Sequence, residues 1–257
     1  MTENDIYTVV LIFFFAIAAG LVGCFALTKR MLLASDVMSH LALPGLGVAL
    51  LIKINPLVGG AATLFIGTLV VWRLQKRAGL ATEAAIGVVF AGALALGALV
   101  TPHENLLEVL FGAFQSLTIY GFVLGLVVML SVILFVVLAK EQLILILFSS
   151  ELAGLTGIEV DRMNLYFLLA FSLTILVGLR FMGALLSSAL IIVPAAIGRQ
   201  LTDRMSRFLL FSCAASVLSV LLGLVVSTYL FKTSTPGPTI VIVSGLLFGL
   251  SLLFKRR

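Results

Sequence analysis

Runs of about twenty apolar residues recur along the whole chain and constrain it more than any other feature. The first, residues 6–28, reads IYTVVLIFFFAIAAGLVGCFALT and has no polar face. A helix in a soluble bundle needs such a face, so these runs point to a bilayer. Composition agrees: 62% of the 257 residues are apolar and 11% charged, against roughly half and a quarter in a soluble domain. In hydrocarbon every backbone N–H and C=O must be paired within the chain. Runs this long fit spanning helices, not the alternating ten-residue strands of a barrel. The expectation is an all-α polytopic membrane protein, a single transmembrane domain over residues 1–257.

Hydropathy places spans near 6–28, 31–52, 56–72, 83–101, 118–139, 163–180, 183–198, 208–231 and 239–254, about nine in all, or eight if 183–198 merges or re-enters. The net charge of +5 does not point to nucleic acid, because the cations sit in small groups at the ends of apolar runs. With the N-terminus outside, Lys29/Arg30, Arg73/Lys76/Arg77, Lys140, Arg162, Arg199/Arg204/Arg207 and Lys255/Arg256/Arg257 all fall on the cytoplasmic side. Lys53, Arg180 and Lys232 are the exceptions. The opening MTENDIY lacks the basic region of a cleavable signal, so the first run is expected to remain as a helix.

Residues 141–163, EQLILILFSSELAGLTGIEVDRM, start apolar but then carry Glu151, Gly154, Gly157, Glu159, Asp161 and Arg162. This reads as one or two short helices on the cytoplasmic surface, where a partner could dock. TPHENLLEVLFGAFQSLT reads as an outer-surface helix and turn. KTSTPGPT reads as a turn in which Pro-Gly-Pro blocks a helix.

The second run contains Ser35-Asp36-Val37-Met38-Ser39-His40-Leu41-Ala42-Leu43-Pro44-Gly45. An intramembrane carboxylate costs a few kcal/mol on insertion scales and implies a functional partner. His40, four residues on, shares a helical face with Asp36, and the two could bind a divalent cation through oxygen and nitrogen. Pro44 lacks an N–H and so leaves the His40 carbonyl without its usual partner. The plainer alternative is that Asp36 and His40 bond each other or cap a kinked helix, and two ligands make an incomplete site. His103 and Glu104 suit an ordinary outer loop, Arg180 suits snorkelling, and Gly121/Gly125 suit close helix packing. Cys24 and Cys213 have no metal or disulfide spacing. No GxxxxGK[ST] or HExxH occurs, so neither ATP hydrolysis nor zinc proteolysis is expected of this chain.

Several patches, in order, resemble the ABC-3 permeases of zinc and manganese ABC importers: RMLLASDVMSHLALPGLGVALL with INPL, TEAAIGVVFAGALALG, EVLFGAFQSLT, SELAGLTGIEVDRMNL and FMGALLSSALIIVPAAIGRQLT. The resemblance covers nearly the full length. It implies a type II importer-like fold with cytoplasmic coupling helices in a bacterial-type inner membrane. It also implies a homodimer or close heterodimer of permeases in membrane lipid, with separate ABC ATPase subunits and an extracytoplasmic metal-binding protein. No cofactor is implied; zinc, manganese or iron would be the transported substrate. The resemblance gives Asp36 and His40 a metal-contacting role and makes residues 148–162, with Glu151, Gly154, Gly157 and Arg162, the ATPase-coupling region. Ser149 and Ser150 depart from the Asp-Pro pair often found there. Pro194 fits the family pattern and would free the Leu190 carbonyl, kinking its span. The rival reading is an ATP-independent channel or secondary transporter, with Asp36 and His40 as an ion relay.

Overall fold

The structure is a computed structural model that describes residues 3–100, 119–231 and 236–253. Among these it contains ten α-helices and no strand. They are α1 (Glu3–Thr28), α2 (Leu32–His40), α3 (Leu43–Leu51), α4 (Pro56–Ala78), α5 (Thr82–Val100), α6 (Ile119–Phe148), α7 (Ser150–Leu155), α8 (Val160–Leu201), α9 (Met205–Val226) and α10 (Gly237–Leu253). A π-helical turn, Ser227–Phe231, closes α9. Among the described residues five segments are long and apolar enough to cross a membrane unaided: Tyr7–Thr28, Val58–Ala78, Ile119–Phe148, Val160–Leu179 and Met205–Tyr229.

Helix α1 forms the centre, with Leu11, Ile12, Phe15, Val22 and Phe25 buried, and α6, α8 and α9 packed around it. Apolar side chains gain little by leaving lipid for protein, so close backbone approach has to hold such a bundle together. Small residues provide it. A Cβ on Gly20 would press on the backbone of Ser212 and Cys213 in α9, and one on Gly23 would strike the Ile191 carbonyl of α8. Gly45 of α3 and Gly59 of α4 meet reciprocally, each lying against the carbonyl of the other.

Several expected spans are corrected by the structure. The run 31–52 is not one helix: it divides into two nine-residue helices at Leu41–Ala42. The break precedes Pro44, which sits in the first turn of α3, where a missing N–H costs least. The fifth span does not stop at 139 but continues as α6 to Phe148, carrying Lys140 and Glu141 with it. The surface segment is thereby reduced to the six-residue α7 and the turn after it. Pro-Gly-Pro does not exclude helix, since α10 begins at Gly237 with Pro238 in its first turn. The outer-surface helix expected over 101–118 lies outside the described residues.

Helix α8 contains a non-helical residue, Gly183, at φ 77° and ψ 172°. That conformation is essentially open only to glycine. Gly178 lies against the Ser187 side chain, although residues nine apart in a straight helix stand about 13 Å apart. The chain therefore doubles back at Gly183, between the two spans expected at 163–180 and 183–198. The helix continues unbroken through the buried Pro194.

Contacts between helix ends define one face of the bundle. Lys29, just beyond α1, bonds Asn164 near the start of α8; Cys24 Sγ lies 3.7 Å from the Phe208 carbonyl near the start of α9; and Lys76 of α4 pairs with Asp161. Gly198, near the end of α8, also abuts Phe208. Arg30, Arg73, Arg77, Arg162, Arg199, Arg204 and Arg207 belong to the same end, which the positive-inside rule makes cytoplasmic.

Substituting Gly45→Ala should force α3 and α4 apart and destabilise the protein by about 1–3 kcal/mol, in the range of overpacking. Gly87→Ala, where a Cβ meets nothing within 4 Å, should be neutral or slightly stabilising. Thermal melting of the two variants in detergent checks this.

Candidate functional site

The break after His40 lies at mid-depth. The His40 ring is 6.1 Å from Phe90, near the middle of α5, and Leu41 packs against Gly67, midway along α4. Pro44 packs against Gly97 of α5. Asp36 and His40 stand one helical turn apart on α2 and both are half-buried, whereas Ser35, Met38 and Ser39 between and beside them are buried. The pair thus occupies the less covered face of α2. The Ser39 hydroxyl donates to the Asp36 carbonyl at 2.6 Å, turning that polar group into the helix.

At the break the backbone tightens: Leu41 N–H donates to Met38 O at 3.1 Å and Ala42 N–H to Ser39 O at 3.4 Å. These shortened bonds satisfy the last carbonyls of α2 in part. Pro44 has no N–H to offer the His40 carbonyl. The negative end of the α2 dipole, this carbonyl, the Asp36 carboxylate and the His40 imidazole therefore lie within one turn, an arrangement that favours a cation. Among the described residues no group of three His, Cys, Asp or Glu side chains converges. The described residues thus offer two such side chains here, Asp36 and His40.

The residues expected to couple to a partner lie on the cytoplasmic face, far along the bundle from this pair. Ser149 caps α7, its hydroxyl accepting from Leu152 N–H at 3.2 Å. This side chain gives the segment its helix start. Glu151, Gly154 and Gly157 are exposed. Gly157, at φ 84°, ends α7 in the left-handed region. Arg162 is exposed and forms a two-point contact with Glu159, both bonds at 2.8 Å. Trp72 Nε1 donates to the Asp161 carbonyl at 2.8 Å and Lys76 pairs with the Asp161 carboxylate at 3.1 Å, so the start of α8 is tied to the end of α4. A groove of about 620 Å³ lies between Trp72, Lys76, Gly154, Glu159 and Tyr166.

Three exposed apolar side chains on this face escaped the sequence reading. Phe148 and Leu155 are 84% exposed and Leu152 55%. Leu152 and Leu155, three residues apart, share one face of α7, whereas Phe148 ends α6 on the other side of the extended Ser149, and the apolar signal merged with the lipid-facing residues of α6. His103, Glu104 and the side chain of Arg180 lie outside the described residues. Cys24 and Cys213 are free thiols.

Lys29 carries more than topology. Its ammonium donates to Asn164 Oδ1 at 2.7 Å and lies 4.6 Å from the Phe167 ring centre. The ring favours the charge, yet burial outweighs it and pushes the amine down to about 8. Lys29 is thereby a fixed link between the central helix and the segment that follows α7.

A helical membrane bundle with an Asp/His pair beside a mid-depth helix break, and a short surface helix at its cytoplasmic end, defines a transport permease. The chain belongs to the ABC 3 transport family, whose sequence profile matches residues 3–255. It is 30% identical to a manganese transport system membrane protein, MntC, of Halalkalibacterium halodurans, over 94% of this chain and 84% of that one. It is 28% identical to a high-affinity zinc uptake system membrane protein, ZnuB, of Haemophilus influenzae, over 91% of each. The fold resembles a chain of PsaBC from Streptococcus pneumoniae in complex with Fab, with a TM-score of 0.80 and 21% identity over 98% of this chain and 92% of that one.

The lowered amine of Lys29 fixes the sign of a pH effect. Between about 8 and the ordinary 10.5 the unfolded chain holds a proton that the folded chain has lost, so stability rises with pH across that window. Thermal melting from pH 7 to 10 should show this rise in the wild type, relative to Lys29→Met.

Proposed function

We propose that this chain is the membrane-spanning permease subunit of an ATP-binding-cassette importer carrying a divalent transition metal, manganese or zinc, into the cytoplasm of a bacterial-type cell. The observation that carries the reading is the helix broken at mid-depth directly after the Asp36/His40 pair. Relatives named for manganese and zinc transport support the choice of cargo. Both metals accept carboxylate oxygen and imidazole nitrogen.

In this reading α2 and α3 together form one span and α8 forms two, one on each side of Gly183. Nine crossings result, with the N-terminus outside and the whole of 1–257 as one permease domain. Asp36 and His40 supply half a coordination shell. A second copy of the chain across a two-fold axis supplies the other half, so that four side chains strip and hold the ion. Weak, incomplete coordination within one protomer suits a transported ion, which has to leave again. An extracytoplasmic metal-binding protein delivers the ion from outside.

ATP is hydrolysed on a separate subunit that docks on α7. Leu152 and Leu155, with Phe148, form the apolar part of that contact, and Glu151 and Arg162 its charged margin. Gly154 and Gly157 let the partner approach the backbone closely. Movement of α7 reaches the transport path through α6 and the start of α8, opening the path alternately to either side. Pro44 and Pro194 mark where backbone carbonyls are left free along that path. An ATP-independent channel built on the same pair would transport without the ATPase.

Uptake of manganese or zinc into liposomes, with the chain reconstituted beside its ATPase, tests the site. Asp36→Asn and His40→Ala should each lower uptake about tenfold or more, the loss typical of a disrupted metal site, while the complex remains assembled. Normal uptake by both variants would remove the site assignment. Separately, Leu152→Glu with Leu155→Glu should abolish co-purification of the ATPase while the permease melts as the wild type does. Retained co-purification would move the docking surface elsewhere.

A further inference from the structure

A second concavity, unconnected with the Asp36/His40 pair, lies at the cytoplasmic end where α8, α9 and α10 meet. It has a volume of about 660 Å³, and Arg199, Gln200, Thr202, Arg204, Arg207 and Phe248 line it. Three arginines and one carboxylate are among its lining residues. That carboxylate, Asp203, is 95% exposed and 3.6 Å from Arg199, a loose surface pair that leaves the cavity positive. The Gln200 Oε1 is occupied by the Ser251 hydroxyl at 2.6 Å, which orients the amide and leaves its NH₂ group to donate. Arg204 begins α9 without a side-chain cap, so the positive end of a 22-residue helix opens at the same place.

The surroundings select among anions. One turn beyond Arg207 on α9, Leu210 is 67% exposed, and Leu253, at the end of α10, is 79% exposed. The boundary between guanidinium groups and uncovered apolar surface therefore passes beside the cavity. A ligand with a phosphate head and hydrocarbon tails matches both parts. A free phosphate or a nucleotide would leave the apolar margin unused. The positive-inside rule explains the sign of the charge, but it does not require the arginines to converge on a concavity with amide and hydroxyl groups. Basic pockets between helices on the cytoplasmic side are suited to anionic lipid headgroups.

We propose that this cavity seats the phosphodiester headgroup of an anionic phospholipid of the cytoplasmic leaflet. Arg204 and Arg207 hold the phosphate, with Gln200 and Thr202 available to its remaining oxygens, and the acyl chains lie along α9 and α10. The bound lipid bridges the hairpin of α8 to the last two helices.

The test uses the complete complex with its ATPase, equilibrated with phosphatidylcholine vesicles with or without phosphatidylglycerol, then extracted and examined by native mass spectrometry and thermal melting. The wild type should retain phosphatidylglycerol through purification and melt higher with it than with phosphatidylcholine alone. Arg204→Gln with Arg207→Gln should reduce retention about 25-fold, two surface charges contributing about fivefold each. Arg204→Lys with Arg207→Lys should retain part of it, and Arg73→Gln, in a different basic cluster, should behave as the wild type. Equal retention by the double Gln variant would overturn the proposal. So would an equal melting shift with inorganic phosphate, which would mean an anion site without lipid. Loss of the ATPase from the double Gln variant in both vesicle types, with lipid retained, would likewise overturn it and make the arginines a protein contact.

Discussion

Backbone hydrogen bonding in hydrocarbon is the constraint on which the rest of this structure depends. No water is available at the bilayer core, so a helix that stops there leaves polar groups at a cost of several kcal/mol each. Among the described residues the chain breaks its apolar segments at mid-depth after His40 and at a reversal within α8, each with a local remedy. At Leu41–Ala42 the last turn of α2 tightens and Pro44 restarts the helix without needing a donor's partner. At Gly183 a conformation open to glycine reverses the chain, and the Ser187 hydroxyl returns a bond to the Gly183 carbonyl at 2.9 Å. Only the first break leaves an ionisable pair beside it.

Small residues translate that constraint into packing. Gly20 and Gly23 bring α9 and α8 onto α1, and Gly45 and Gly59 bring α3 and α4 into backbone contact. The last of these contacts lies directly beyond the break. It holds α3 against α4, while the cytoplasmic end of α4 is tied by Trp72 and Lys76 to Asp161. The Lys76–Asp161 pair is about half exposed and contributes little to stability. Its structural effect is to place the segment that follows α7 and the broken helix on the two ends of one rigid element.

Much of this was legible in the sequence because lipid imposes a coarse and unambiguous pattern. The central helix, the apolar runs and the separation of 163–180 from 183–198 could be read directly. Asp36 and His40 stood out because ionisable groups are rare in such runs. What hydropathy could not show was where an apolar run stays helical. Residues 31–52 scored as one span because broken and continuous helices have the same composition. The end of α6 was misplaced because Lys140 and Glu141 resemble a boundary, although a helix can continue past the membrane surface into water. Pro-Gly-Pro was read as a barrier when its second proline falls in a first turn, where proline is favoured.

By itself the sequence determined the solvent of this protein, the gathering of its cations at the ends of apolar runs and the identity of the Asp36/His40 pair, because each depends on residue type and local spacing. Only the tertiary structure decided that the pair lies beside Phe90 at mid-depth, that α8 folds back on itself, and that Asp161 is held by α4. Those facts depend on which helices meet. In a bilayer that choice rests on close contacts between small residues far apart in the chain, and hydropathy does not encode them.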